Sequence, residues 1–136
     1  KGTTTIAKMS ALIRRGDLDG ALQMLQTYLT TIPYCDNANS KGHYQQMMYV
    51  IFSILDHYVD VEERTATGRV DMVLRTATHI YLFEFKLNKS AQVAMSQIDL
   101  KHYPARFALS GLPVVKVGVN FDVATHNIAD WIVSPA

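Results

Sequence analysis

Apolar residues recur at helical spacing along the first part of this chain and then change to alternation, which separates a helical beginning from a strand-rich remainder. Over residues 5–15, Ile6, Met9, Leu12 and Ile13 fall on one stripe, and the run "RRGD" ends it. Asp17 is placed to cap a second helix, whose stripe of Leu18, Ala21, Leu22, Leu25 and Leu29 stops before Pro33. The spacing predicts two short helices joined by a tight turn. The polar, Gly-containing stretch "YCDNANSKG" reads as a loop. "HYQQMMYVIFSILDHY" then predicts a third helix, apolar almost all round at Met47, Met48, Val50, Ile51, Ile54 and Leu55 and therefore expected to be buried.

Beyond it the period drops to two residues. Strands are predicted over residues 59–65, 69–76 and 79–87, with short connections that imply antiparallel hairpins. "NKSAQVAMSQIDLKHYPARFALSG" returns to helical spacing, with Ser90 as N-cap, an inner stripe of Ala91, Ala94, Met95, Ile98 and Tyr103, and Pro104 as the kink or stop. "PVVKVGVNFD" and "NIADWIVS" predict two further strands. The class is therefore α/β, mixed α+β, with helices first, three strands, a helix, and strands again.

Composition narrows this reading. A chain of 136 residues with 49% hydrophobic and 18% charged residues suits one packed core and excludes intrinsic disorder. A net charge of +1 excludes an overall basic field, so any nucleic-acid contact needs a local patch. Cys35 has no second cysteine to pair with and reads as a buried thiol. No apolar run is long enough to span a membrane, and "KGTTTIAKMS" lacks the apolar core of a signal peptide, so the expected setting is cytoplasmic. The chain begins with Lys1 and enters helical pattern at once, which leads us to expect a piece of a longer protein.

Charge enters the strands at only a few places, and these carry the chemistry. With a two-residue turn at Ala77 and Thr78, Thr76 faces His79, Val73 faces Leu82 and Asp71 faces Glu84. By the same count Arg69 lies opposite Lys86, and Glu84 and Lys86 share a face. Like charges directly across a hairpin repel, so the acidic pair needs relief. A divalent cation is one source, because Mg²⁺ is content with one or two carboxylates and completes its shell with water and phosphate oxygens. A Glu-x-Lys run is also what the charged face of an edge strand looks like. The same face carries Ile80 and Leu82, however, and the opposite face carries Tyr81, Phe83, Phe85 and Leu87, a pattern that favours a central strand.

An Asp in one strand followed by Glu-x-Lys in the next and then a helix resembles the PD-(D/E)XK nuclease superfamily. More narrowly, "GRVDMVL", "YLFEFKL", "SAQVAMSQIDLKHYPARF" and "VVKVGVNFD" are similar to the nuclease-like domain at the C-terminal end of bacterial proteins that begin with an ATPase-like domain. The resemblance implies a restriction-endonuclease-like core, a central mixed sheet flanked by helices over residues 36–136, preceded by a helical hairpin over residues 1–35. It implies Mg²⁺ or Mn²⁺ as cofactor, with Asp71, Glu84 and the backbone carbonyl of Phe85 as metal ligands and Lys86 as the catalytic lysine. Gln97 matches a helix position near the site, with an ordinary surface helix residue as the alternative reading, and Arg69 is a substrate-binding candidate; Lys101 and Tyr103 fall in the same helix as Gln97 and read as residues without a site role. Tyr44 and Gln45 match the first core helix, either as packing or as site-facing residues.

The activity so implied is phosphodiester hydrolysis, of DNA before RNA, with an ATPase-like domain and a second copy of the chain as expected partners. The alternative is a nuclease-fold module that binds nucleic acid or protein without cutting, through residues such as Arg69, Arg75, Lys89 and Lys101. One departure bears on that choice. Lys41 stands where relatives commonly carry Glu, which leaves one carboxylate fewer near the metal. Val70 stands in place of the proline that names the superfamily.

Overall fold

The computed structural model describes residues 2–33, 40–55, 59–63, 70–98 and 110–135. Its elements are α1 (Gly2–Arg14), α2 (Leu18–Leu29), α3 (Lys41–Ile54), β1 (Val59–Glu63), β2 (Met72–Thr76), β3 (Ile80–Leu87), α4 (Ala91–Ser96), β4 (Val114–Asp122) and β5 (Asn127–Pro135). The predicted helical hairpin is present. Gly16 turns the chain with a φ of 82°, and the Asp17 carboxylate accepts from the Gly20 N–H at 2.9 Å to start α2.

Helix α3 starts at Lys41, inside the stretch expected to be loop, because Ser40 caps it by accepting from the His43 N–H at 3.2 Å. This puts Lys41 in the first turn of the helix. The expectation that α3 is buried all round is corrected: Tyr44, Met48, Phe52 and Leu55 are buried, whereas Val50 and Ile54 are 49% and 55% exposed. The helix lies against one face of a sheet and buries one stripe.

The sheet has five strands in the order β1-β2-β3-β4-β5. Strands β2 and β3 pair antiparallel, Met72 with Phe83, Val73 with Leu82 and Leu74 with Tyr81, which is the register counted from the two-residue turn. The Thr76 N–H closes that turn on the His79 carbonyl at 2.9 Å. Strand β1 adds antiparallel to β2, from Val59 opposite Thr76 to Glu63 opposite Met72. Strand β3 then pairs parallel with β4, from Ile80 with Val114 to Leu87 with Phe121, and β5 closes antiparallel on β4. The sheet is therefore mixed, and β3 is central, hydrogen-bonded on both sides.

A parallel neighbour requires a crossover between β3 and β4, and α4 lies within it. The helix is shorter than its apolar stripe suggested, with Ser90 as N-cap and Gln97 as C-cap; Lys101, Tyr103 and Pro104 lie outside the described residues. Cys35 and Arg69 lie outside them as well. Helices cover both faces of the sheet. Met72, Leu74, Tyr81, Phe83, Phe85, Val117, Val119 and Phe121 share one core with residues of α1, α2 and α3. Val70, Val73, Ile80 and Leu82 share the other with Ile98 and Met95. Among the described residues no helix is long and apolar enough to cross a membrane.

A polar buckle around buried Asn120 fixes the turn between β3 and α4. Asn120 accepts from the Lys89 N–H at 2.9 Å and donates to the Lys89 carbonyl at 3.2 Å and to Asp130 Oδ1 at 2.9 Å. The other oxygen of Asp130 accepts from the Ala91 N–H, at the start of α4, at 2.8 Å. The buckle ties the beginning of α4 to β4 and β5, and with it the position of Gln97 at the far end of the helix.

Candidate active site

The site forms where the β2–β3 ladder runs out. The Asp71 N–H still donates to the Phe83 carbonyl at 3.0 Å, but the next donor along β3, the Phe85 N–H, is taken by the Asp71 carboxylate at 2.9 Å. A side chain thus replaces the main-chain acceptor that another residue of β2 would have supplied. In a strand the N–H and C=O of one residue face the same neighbour, so the Phe85 carbonyl also looks toward this opening. The last paired residues of the ladder are Met72 and Phe83, so Asp71 and Glu84 are the next residues along their two segments. Both are buried, Asp71 at 2% and Glu84 at 8% exposure.

The relief the acidic pair needs comes from α3. Lys41 Nζ lies 3.0 Å from Asp71 Oδ2 and 3.9 Å from Glu84 Oε2, so one ammonium serves both carboxylates. Gln45, one turn further along α3, donates to the Asp71 main-chain carbonyl at 3.3 Å. These contacts hold the start of α3 against the carboxylates. Tyr44 is a packing residue, 1% exposed and stacked on Phe121 with ring centroids 4.8 Å apart.

Lys86 is half-buried and donates from its ammonium to Gln97 Oε1 at the end of α4. The fold therefore brings Lys41, Gln45, Asp71, Glu84 and the Lys86–Gln97 pair to one end of the sheet. Lys89 is exposed and Arg75 half-buried. Arg69, expected across from Lys86, lies outside the described residues.

Two features escaped the sequence reading. Lys41 was counted as a missing carboxylate, whereas in the fold it contributes a cation to the cluster. Its signal was a lysine in the first turn of "KGHYQQMMYVIFSI", where the positive end of the helix dipole disfavours it. The Asn120–Asp130 buckle was the other, signalled by polar residues inside "VVKVGVNFD" and "NIADWIVSP".

The donor set suits a hard cation. Two buried carboxylates, held where an ammonium already sits, are the kind of oxygen donors that Mg²⁺ or Mn²⁺ takes. Among the described residues no group of three or more His, Cys, Asp or Glu could hold a metal, so a site of the zinc type does not fit.

Comparison with known proteins agrees with this arrangement. The chain is 30% identical over 129 residues to an "Uncharacterized protein in vnfD 5'region" of Azotobacter chroococcum mcd 1, an alignment that spans 90% of this chain and 25% of that relative. No solved structure matches. The profile of the PD-(D/E)XK nuclease superfamily matches residues 40–131, from the cap of α3 to the middle of β5. With Asp71, Glu84 and Lys86 all inside that span and gathered at one end of a mixed sheet, the chain belongs to the PD-(D/E)XK nuclease superfamily.

Proposed function

We propose that this chain is the Mg²⁺- or Mn²⁺-dependent nuclease unit of a longer protein, hydrolysing phosphodiester bonds of DNA. One observation carries the reading: two buried carboxylates from neighbouring strands converge on a single positive charge. Members of the superfamily generally use divalent metals, which supports the same assignment. Asp71, Glu84 and the Phe85 carbonyl would hold the ion, which when bound supplies a Lewis acid for a phosphate oxygen.

The chain's own residues do the rest. Lys86, on the same face as Glu84, positions the attacking water and counters the charge that builds on the phosphate. Gln97 keeps its ammonium directed rather than free to rotate. Arg69 would bind a flanking phosphate. The hairpin over residues 1–35 adds a supporting layer to the nuclease-like unit over residues 36–136, a role consistent with the packing of α1 and α2 into the sheet core. In this reading the full-length protein works in the bacterial cytoplasm, carries an N-terminal ATPase-like domain, and pairs with a second copy to cut both strands. The much greater length of the relative supports a further domain.

A second reading keeps the fold as a binding module without cleavage. Lys41 favours it, since its ammonium already offsets part of the carboxylates' charge without a metal. Incubation of the purified chain with plasmid DNA and Mn²⁺, beside Glu84→Gln, separates the two. Under the nuclease reading the native chain nicks DNA, and the variant loses roughly a hundredfold or more in rate while staying folded. Intact DNA and RNA with the native chain, together with no calorimetric metal binding, would overturn it.

A further inference from the structure

We propose that Lys41 is the resident cation of this site and competes with a divalent ion for the Asp71–Glu84 pair, so that metal enters only as the lysine swings out. The inference rests on the reading of Asp71 and Glu84 as metal ligands, and it concerns what governs access to them.

The geometry argues for competition rather than cooperation. At 3.0 Å and 3.9 Å from the two carboxylates, the ammonium lies in the space a bridging ion would need. A second, doubly charged cation a few ångströms away would be repelled by it. The two charges therefore exclude each other.

The exposure of the partners is unequal. Asp71 and Glu84 are held in strands at 2% and 8% exposure, and Asp71 is also locked by the Phe85 N–H. The Lys41 side chain is 37% exposed and hangs on a flexible four-carbon stem from a helix whose start Ser40 fixes. The carboxylates stay in place while the lysine can leave. Its own helix offers no reason to remain, since a cation in the first turn is opposed by the dipole and α3 has no acidic residue there. Among the described residues its ion pairs are with the two carboxylates.

With the lysine in, one of the pair's two negative charges is offset without metal. With the lysine out, the pair loses that counterion, and a divalent cation can take its place. Metal affinity is thereby set by a residue that is not a ligand.

The test is Mn²⁺ binding by titration calorimetry to the native 136-residue chain, Lys41→Met and Lys41→Glu, with thermal unfolding in chelator and in excess Mn²⁺ as a second readout. Removing the charge should tighten Mn²⁺ binding roughly thirtyfold or more, the factor expected for a unit charge about 4 Å from a divalent ion even at the dielectric of water. Lys41→Glu should bind at least as tightly as Lys41→Met. In chelator both variants should melt below the native chain, and Mn²⁺ should raise their midpoints by more than it raises the native one.

Lys41→Gln keeps a donor for Asp71 without the charge and gives the same comparison should the methionine variant fold poorly. Equal Mn²⁺ affinity in the native and neutral variants would overturn the competition while leaving the metal site standing. Absence of Mn²⁺ binding in all of them would overturn both, and Lys41 would then be only a structural ion pair.

Discussion

The Tyr81 hydroxyl is buried in the core between α1–α3 and the sheet, with no hydrogen-bond partner among the described residues, and its residue is 1% exposed. Burial, and secondarily the carboxylate of Asp17, raise the Tyr81 phenol above its ordinary ionisation range near pH 10. The folded chain thus holds this proton at a pH where the unfolded chain has released it. Its contribution to stability is full below pH ~10 and falls as pH rises through the folded value. Tyr81→Phe removes both the unpaired hydroxyl and this alkaline loss. Urea unfolding at neutral pH should show the variant as stable as the native chain or about 1 kcal/mol more stable, and the gap should widen above pH ~10. A flat difference across that range would mean the hydroxyl finds a partner in solution. Asp71 makes the opposite case, since its buried polar atoms are met by the Phe85 N–H, Lys41 and Gln45. One residue alone shows the acidic pattern in sequence; what meets it comes from other elements.

Among the elements, α4 is the one whose placement decides the site, because it carries Gln97 to Lys86. It lies on β4 at Gly118, where an added Cβ would come within 2.7 Å of the Ala91 carbonyl and 3.0 Å of the Ala94 and Met95 side chains. The first of these contacts is backbone, so α4 would have to lift. Gly118→Ala should cost about 1–3 kcal/mol in urea unfolding and weaken any activity that depends on the Lys86–Gln97 pair. Native stability in that variant would mean the helix moves freely, and the Asn120–Asp130 buckle would not be what positions it. The existence of α4 was legible from Ser90 and the Ala91–Ala94 spacing, which the structure bears out through the Val93 N–H donating to Ser90 at 3.1 Å. Its short extent was not, because the same apolar stripe runs on past Gln97 and periodicity alone does not locate a C-cap. Helix α3 shows the same limit: its many apolar residues were plain, but which of them stay exposed depended on a single sheet face being available.

For the molecule as a whole, a net charge of +1 means that attraction to nucleic acid rests on a few residues near the site rather than on the surface at large. Contacts to about two or three phosphates, through side chains such as Lys86 and Lys89, would give a slope of about −2 to −3 in log K against log salt. Fluorescence anisotropy with a short duplex between low and physiological salt reads this directly. A slope near zero would count against nucleic acid as the partner. The sequence alone determined the helical hairpin, the two-residue turn and the register that sets Val73 opposite Leu82, because helical and strand periods and turn chemistry act between close neighbours along the chain. Only the tertiary structure decided that β3 is central with β4 parallel beside it, and that a lysine from the first turn of α3 stands between the carboxylates. Those outcomes depend on which distant elements meet across the sheet, and a charge that reads locally as a lost ligand becomes, once packed, the counterion of the pair it was thought to weaken.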